Sequence, residues 1–251
     1  MASHEVTQQQ YQQVMGINPS AFSTTGSKIT NVLGKNTDRF PVESVSWFNA
    51  VEFCIKLSEA DGRTPYYRLT SISRRSDQSI EKATVTVSSG NGYRLPTEAQ
   101  WEYACRAETL TATAFGDSLN SSLANFNGNF PTGSASKGPN LNRTTEVGSY
   151  KPNGWGLCDM HGNVIELCED WYVEKLPGGH DPATVKAPGV LILVARSGAW
   201  NGIGGLCRSA FRSAYLPGSR HASVGFRVAL VPEEPQKPSS APPPPAVAKP
   251  K

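Results

Sequence analysis

The sequence predicts an α+β domain with little regular secondary structure. Two segments show helical apolar spacing behind a capping residue. Five short stretches read as strands, and most of the remainder is Gly-, Asn-, Ser- and Pro-rich chain without a period. The 251 residues suffice for a sizeable core, and 38% hydrophobic with 9% aromatic content marks a folded rather than a disordered chain.

The first helix is expected from Ser46 to Ser58. Ser46 stands as N-cap, and Trp47, Val51, Phe53, Cys54 and Leu57 fall on a helical face. The second runs from Thr97 to about Arg106. Thr97 can cap it, Glu98 to Trp101 form its first turn, and Pro96 biases Leu95 away from helix. Strands are expected at Tyr66–Thr70, Ala83–Ser88, Glu146–Tyr150, Val190–Ala195 and Gly225–Leu230, the Thr and Val alternation from Ala83 favouring a hairpin arm. Gly116–Thr144 and Asn201–Ser223 show no periodicity, and loops that long are functional or disordered. No internal repeat is visible.

Met1–His4 read as residues added ahead of the natural chain. The folded unit is expected over residues 5–231. Beyond it, residues 232–251 carry eight of the 19 prolines and almost no large apolar side chain, so they read as a Pro-rich tail. A net charge of +3, with no basic run interleaved with aromatics, argues against a nucleic-acid partner. No apolar run reaches the roughly 18 residues that crossing a bilayer requires. The five cysteines lack CxxC spacing and sit in apolar surroundings, as buried thiols do.

A series of blocks in fixed order carries a resemblance. They are Glu5-Val6-Thr7; Phe40 to Trp47 (FPVESVSW); Tyr93 to Ala104 (YRLPTEAQWEYA); Asn153 to Val164 (NGWGLCDMHGNV); Glu169 to Tyr172 (EDWY); Arg196 to Trp200 (RSGAW); Cys207 to Ala210 (CRSA); and Gly225 to Val228 (GFRV). From Glu5 to about Val228 the chain resembles the formylglycine-generating, or sulfatase-modifying-factor, family. That resemblance implies a C-type-lectin-like fold with two main helices and short antiparallel strands. It also implies a strand ahead of the Glu-Val-Thr motif that is missing or truncated. Trp47, Trp101, Trp155, Trp171 and Trp200 are expected to pin loops onto the core. Arg94, Glu98 and Arg227 are read as buried-pair or capping residues, and His161 as structural.

Enzymatic members of the family hold copper(I) on two thiolates, soft ligands that suit the metal. The resemblance puts the first two residues after the aromatic of the Arg-Gly-Gly-Ser-aromatic block and the second five residues later. Counted from Trp200 these positions are Gly202 and Cys207, and no other cysteine lies between Cys168 and Cys207. The pair is broken, so catalysis is not expected, and a copper-dependent oxidase is the alternative. An iron-using relative would need a histidine triad, whereas His4, His161, His180 and His221 lack metal spacing. No cofactor is required. The resemblance does imply candidate structural-calcium ligands at Asn125 and Phe126 and at Asp159, Gly162, Val164 and Glu166, the first loop lacking its acidic partner near Pro139 and Asn140.

Residues 201–223 (NGIGGLCRSAFRSAYLPGSRHAS) keep Cys207, Arg208, Ser209, Ala210, Arg212, Pro217 and Arg220. Between them stand Gly202, Ile203, Gly205, Leu206, Phe211, Ser213, Tyr215, Leu216, Ser219, His221 and Ser223. These are Tyr/Ser/Gly-rich with apolar members, as binding loops are. All are reachable by mutating the adenines of an Asn codon, a composition similar to that of the retroelement-diversified variable proteins of Treponema. The expectation is a monomeric ligand-binding protein with these eleven residues as its variable surface and Phe211 and Tyr215 as anchors. Its partner is a protein or other surface ligand of variable identity, and family analogy implies a cell-surface or extracellular, lipid-anchored location.

Overall fold

A computed structural model describes residues 1–184, 189 and 191–231. The three α-helices among the described residues all open with the same device. Helix α1 (Gln8–Met15) is capped by Thr7, α2 (Trp47–Ala60) by Ser46 and α3 (Glu98–Arg106) by Thr97. In each, the cap hydroxyl accepts from the third helical N–H while that residue's amide side chain accepts from the cap N–H. The sequence reading found α2 and α3 within two residues. It missed α1, whose run QQQYQQVM carries only the short apolar set Tyr11, Val14 and Met15, all packed on the main core, among five glutamines.

The strands are β1 (Tyr67–Arg74), β2 (Ile80–Val87), β3 (Tyr93–Arg94), β4 (Ile165–Trp171), β5 (Leu193–Arg196), β6 (Ser213–Tyr215), β7 (Val224–Gly225) and β8 (Ala229–Leu230). β1 and β2 form the expected antiparallel hairpin, longer than the alternation alone marked. β3 pairs with β8, and a four-stranded sheet runs β6-β5-β4-β7 with only β4–β7 parallel. Three expectations are corrected. Glu146–Tyr150 is turn, its Ser149 N–H and Oγ both bonded to the Glu146 carbonyl. Gly225–Leu230 is divided between two sheets as β7 and β8. β4, unread because its acidic residues hide the alternation, is the centre of the main sheet. Val190 and residues 232–251 of the expected strand and tail lie outside the described residues.

The main core joins Tyr11, Val51, Phe53, Leu167, Leu193, Val224 and Phe226, with Tyr11 stacked on Phe53 at 5.5 Å. Smaller clusters gather around Trp101 with Cys105, Met160 and Cys168, around Phe22 with Phe40 and Trp200, and around Phe126 with Leu119 and Cys207. Met1–His4 are not a loose addition. Ala2 N–H donates to the Val228 carbonyl at 2.8 Å, Arg227 reaches the Ala2 carbonyl, and Cys158 N–H reaches that of Ser3.

Two buried ionic centres lock the loops to this frame. Arg227 and Glu166 are wholly buried and paired through Nε (2.6 Å) and Nη2 (2.7 Å), with Trp101 Nε1 donating to the same carboxylate at 2.8 Å. Arg196, also wholly buried, meets Glu98 and Glu102. Arg212 forks onto Glu98 from outside and lies 4.6 Å from the centre of the Tyr172 ring. Arg227 and Glu98 are therefore structural ion-pair residues, and Arg94 likewise bonds the Leu95 carbonyl and Gln100.

Candidate functional site

Segment 201–223 has almost no regular structure, only a 3₁₀ turn at Gly204–Cys207 and strand β6 at the edge of the main sheet. Its backbone is nevertheless held at close intervals by groups outside it. The Gly202 carbonyl accepts from Asn127, and Gly204 N–H donates to Phe130. Ser209 N–H donates to Ala112, and the Ser209 and Phe211 carbonyls both accept from Arg196. β6 pairs with β5, the Pro217 carbonyl accepts from Trp47 and that of His221 from Ser44. Gly198 permits the closest approach: a Cβ there would lie 2.4 Å from Cys207 Sγ.

The side chains divide differently. Ile203 (46% exposed), Leu206 (37%) and Leu216 (55%) stand out from the surface, as do Ser219 and His221. Gly202, Gly205, Phe211 and Ser213 are half-buried. Tyr215 is half-buried but packs on the main core, so it is a less free anchor than the sequence implied. Ser223 is corrected: it is buried, its Oγ 2.7 Å from His221 Nδ1 and its carbonyl accepting from Ile165, and it presents no surface.

The exposed residues form two patches. Ile203 and Leu206 border the loop that carries the exposed Phe130. Leu216, Pro217 and Ser219 form one wall of a cleft of about 720 Å³, whose other walls are Ala83 and Val85 of the hairpin and Trp47 and Trp171. Arg75, Glu81 and Lys82 make its polar rim. An apolar cleft with a few charged groups at its edge is the usual build of a ligand site. The hairpin's share in that cleft was not legible in the sequence, because the register that faces Ala83 and Val85 inward depends on tertiary packing.

Gly202 and Cys207 are the two positions that the resemblance matches to the thiol pair. A Cβ at Gly202 would meet nothing closer than the Ala199 carbonyl at 3.3 Å, so a side chain fits there with a small adjustment. Cys207 is buried, and burial alone pushes its thiol up to about 12. Among the described residues no charged group acts on it to favour the thiolate that metal binding or nucleophilic attack requires. All five cysteines are free thiols. His161 is buried beneath the same loop, its Nδ1 2.8 Å from the Cys207 carbonyl and its Nε2 accepting from Ala114 N–H. That arrangement fixes the neutral tautomer, and burial pushes its pKa down to about 4.

The calcium candidates sit in a network already supplied with protein donors. Glu166 is filled by Arg227 and Trp101, and Asp159 Oδ2 accepts from Gly148 N–H at 2.7 Å. The Asn125 carbonyl accepts from Asn163 N–H, while its side-chain amide donates to the Arg143 carbonyl and to Asn163. Phe126 is core, Gly162 is packed against the Asn125 backbone and Val164 lies beside Gly225, and none of the three contributes a side-chain donor. Burial, reinforced by Asp159 and Glu166, pushes the Glu5 carboxyl well above its usual range. Among the described residues no group of three or more His, Cys, Asp or Glu side chains is arranged to hold a metal. The positive charge beside Glu166 is the Arg227 guanidinium.

Comparison with known proteins agrees with the sequence blocks. Over 188 residues the chain is 36% identical to the chaperone protein LppX of Paenibacillus barcinonensis, covering 68% of this chain and 62% of that one. Over 147 residues it is 35% identical to the formylglycine-generating enzyme of Streptomyces coelicolor, covering 55% and 46%. The chain thus spans less than two thirds of the length of these relatives. Among solved structures, Treponema denticola variable protein 1 superposes with a TM-score of 0.73 at 30% identity, over 91% of this chain and 82% of that one. No helix among the described residues is long and apolar enough to cross a membrane. The sulfatase-modifying factor enzyme 1-like domain matches residues 1–231, and the chain belongs to that family.

Proposed function

We propose that this chain is a non-catalytic, ligand-binding member of the family, recognising its ligand through the exposed side chains of residues 201–223. One observation carries the reading: within a single segment, backbone groups are fixed from outside while Ile203, Leu206, Leu216, Ser219 and His221 face outward. Such a surface tolerates side-chain change without unfolding, and its pre-organisation limits the entropy lost on binding. The cleft between Leu216–Ser219 and the hairpin supplies the recess into which an apolar group of a protein or other surface ligand would insert. Likeness to a variable protein supports a diversified segment. The reading places a monomer at the cell surface and needs no cofactor.

The alternative, a copper-dependent oxidase, draws on the similarity to a formylglycine-generating enzyme. It has against it a single buried thiol with glycine at the partner position. Sequencing the locus and its flanking DNA tests the proposal. A nearby copy of the 3′ end, differing only at adenines and only within codons 201–223, is expected; variation scattered over the whole domain would sink it. For the alternative, the wild-type chain is expected to take up no stoichiometric copper(I), whereas Gly202→Cys gains it. Aldehyde formation by the wild type on a cysteine-containing peptide would restore the enzyme.

A further inference from the structure

A second cleft, of about 570 Å³, opens where the middle of α1, the residues after it, the start of α2, the β1–β2 turn and the loop around Arg220 meet. Its size is within the roughly 300–1,000 Å³ of small-molecule sites. The proposal for residues 201–223 does not involve it, since Arg220 is one of the unvaried positions of that segment.

What distinguishes this cleft is a set of polar groups left without protein partners. Tyr11 is 1% exposed, with its ring face stacked on Phe53, yet its hydroxyl has no hydrogen bond among the described residues and is not sealed in the core. Burial, with Glu52 nearby, pushes the phenol's pKa up, so it stands as a neutral donor and acceptor. Asn49 is 5% exposed, and its Oδ1 is consumed by Ser46 N–H and Oγ in the helix cap. Its Nδ2 group is the part left to the cleft that Asn49 lines. Neither atom is sealed from solvent, so both are open at the cleft wall to groups other than the protein's own.

The remaining walls decide the chemistry. Arg220 Nη1 and Asp77 form an ion pair at 2.8 Å, leaving the cleft with no net charge and with further guanidinium N–H groups. Ser79 Oγ donates to Asp77 and Ser44 Oγ to Glu43, so both hydroxyl oxygens keep lone pairs to accept with. Ile17, 46% exposed, and Pro19 give an apolar strip beside these groups. A carboxylate or phosphate would find Asp77 opposing it, and an amine would find Arg220. A ligand that donates and accepts at neighbouring atoms, carries no charge and has one CH-rich face satisfies every wall. We propose that this cleft binds a neutral polyhydroxylated molecule, a sugar unit, with the Tyr11 hydroxyl and Asn49 amide as its buried contacts and the Arg220–Asp77 pair as its bidirectional clamp.

The test uses the whole chain and four probes: methyl α-D-mannopyranoside, methyl β-D-galactopyranoside, N-acetylglucosamine and sodium acetate. Binding is read by saturation-transfer NMR and calorimetry at millimolar concentrations. At least one sugar is expected to bind and acetate not to. Tyr11→Phe removes only the unpartnered oxygen, so it should weaken that sugar about fivefold to tenfold while leaving Tm unchanged. Arg220→Gln should weaken it at least as much. Absence of binding by all three sugars, binding of acetate in their place, or sugar affinity unchanged in both variants would each overturn the assignment. None of these outcomes bears on variation in codons 201–223, so this proposal and the preceding one fail separately.

Discussion

Arg196 and Ile203 are seven residues apart in the chain and belong to opposite regimes. Arg196 is wholly buried, with Glu98, Glu102 and two carbonyls of the neighbouring segment around its guanidinium. Ile203 is 46% exposed, and only its backbone is held. The domain thus separates the chemistry that fixes the shape of its irregular surface from the side chains that surface displays. Regular structure ordinarily supplies such rigidity through its ladders. Here buried guanidinium groups and asparagine turns supply it, satisfying the loop carbonyls that no helix or strand would.

This contrast can be broken from beneath. Arg227→Met leaves the Glu166 carboxylate wholly buried with Trp101 as its remaining side-chain donor, and should cost about 3–5 kcal/mol in urea unfolding. A loss below about 1 kcal/mol would show that the ionic centre is dispensable. Arg196→Met should cost about 2–4 kcal/mol and raise amide exchange from Ser209 to Tyr215, because two carbonyls lose their donor. If exchange rises evenly over the chain instead, Arg196 does not specifically hold the segment.

Acidity gives a subtler probe. Burial pushes the Glu43 carboxyl up to about 7 although it accepts from Phe22 N–H and Ser44 Oγ. Its folded pKa therefore exceeds its unfolded one. The stability this group contributes is fully present below about 4.5 and is lost as pH rises toward 7. Glu43→Gln should flatten that part of the stability–pH curve, whereas an unchanged slope would assign it elsewhere. His161 acts in the opposite sense. Its pKa is depressed to about 4 by burial, so its contribution is complete above about 6.5 and falls as pH drops toward 4.

On the outer side the expected effects shrink. Tyr215→Ala is intermediate, about 1–2 kcal/mol, because the ring packs on the main core and also borders the surface. Ile203→Ser, Leu206→Asn and Leu216→Asn should each change stability by less than about 0.5 kcal/mol while altering ligand binding. A large loss in any of them would move that residue from display to framework. Smallest of all, removal of calcium by EDTA should leave Tm unchanged, since Glu166 and Asp159 already have protein donors. A fall on chelation, reversed by added calcium, would show that a cation replaces part of that network.

Much of the scaffold was legible before folding because its signals are local. Ser46 and Thr97 announce α2 and α3, the Thr and Val alternation announces β2, and the ordered blocks from Glu5 to Val228 point to the family. Local signals failed where burial comes from both sides or from the chain's far end. β4 is acidic in sequence because Glu166 and Asp170 point inward to Arg227 and to the N-terminus of α3. α1 carries five glutamines and a short apolar face, Tyr11 with Val14 and Met15, too brief to stand out as a period.

The amino-acid sequence by itself determined the helix caps, glycine at 202 with cysteine at 207, and the residue types of the 201–223 segment, since these are matters of identity and spacing. Only the tertiary structure decided that Ser223 is inside and Ile203 outside, that Tyr215 leans on the core, and that hairpin and loop enclose a cleft. Those outcomes depend on which distant carbonyls and carboxylates meet Arg196, Arg227 and Trp47. An irregular segment has no internal period from which such meetings could be read.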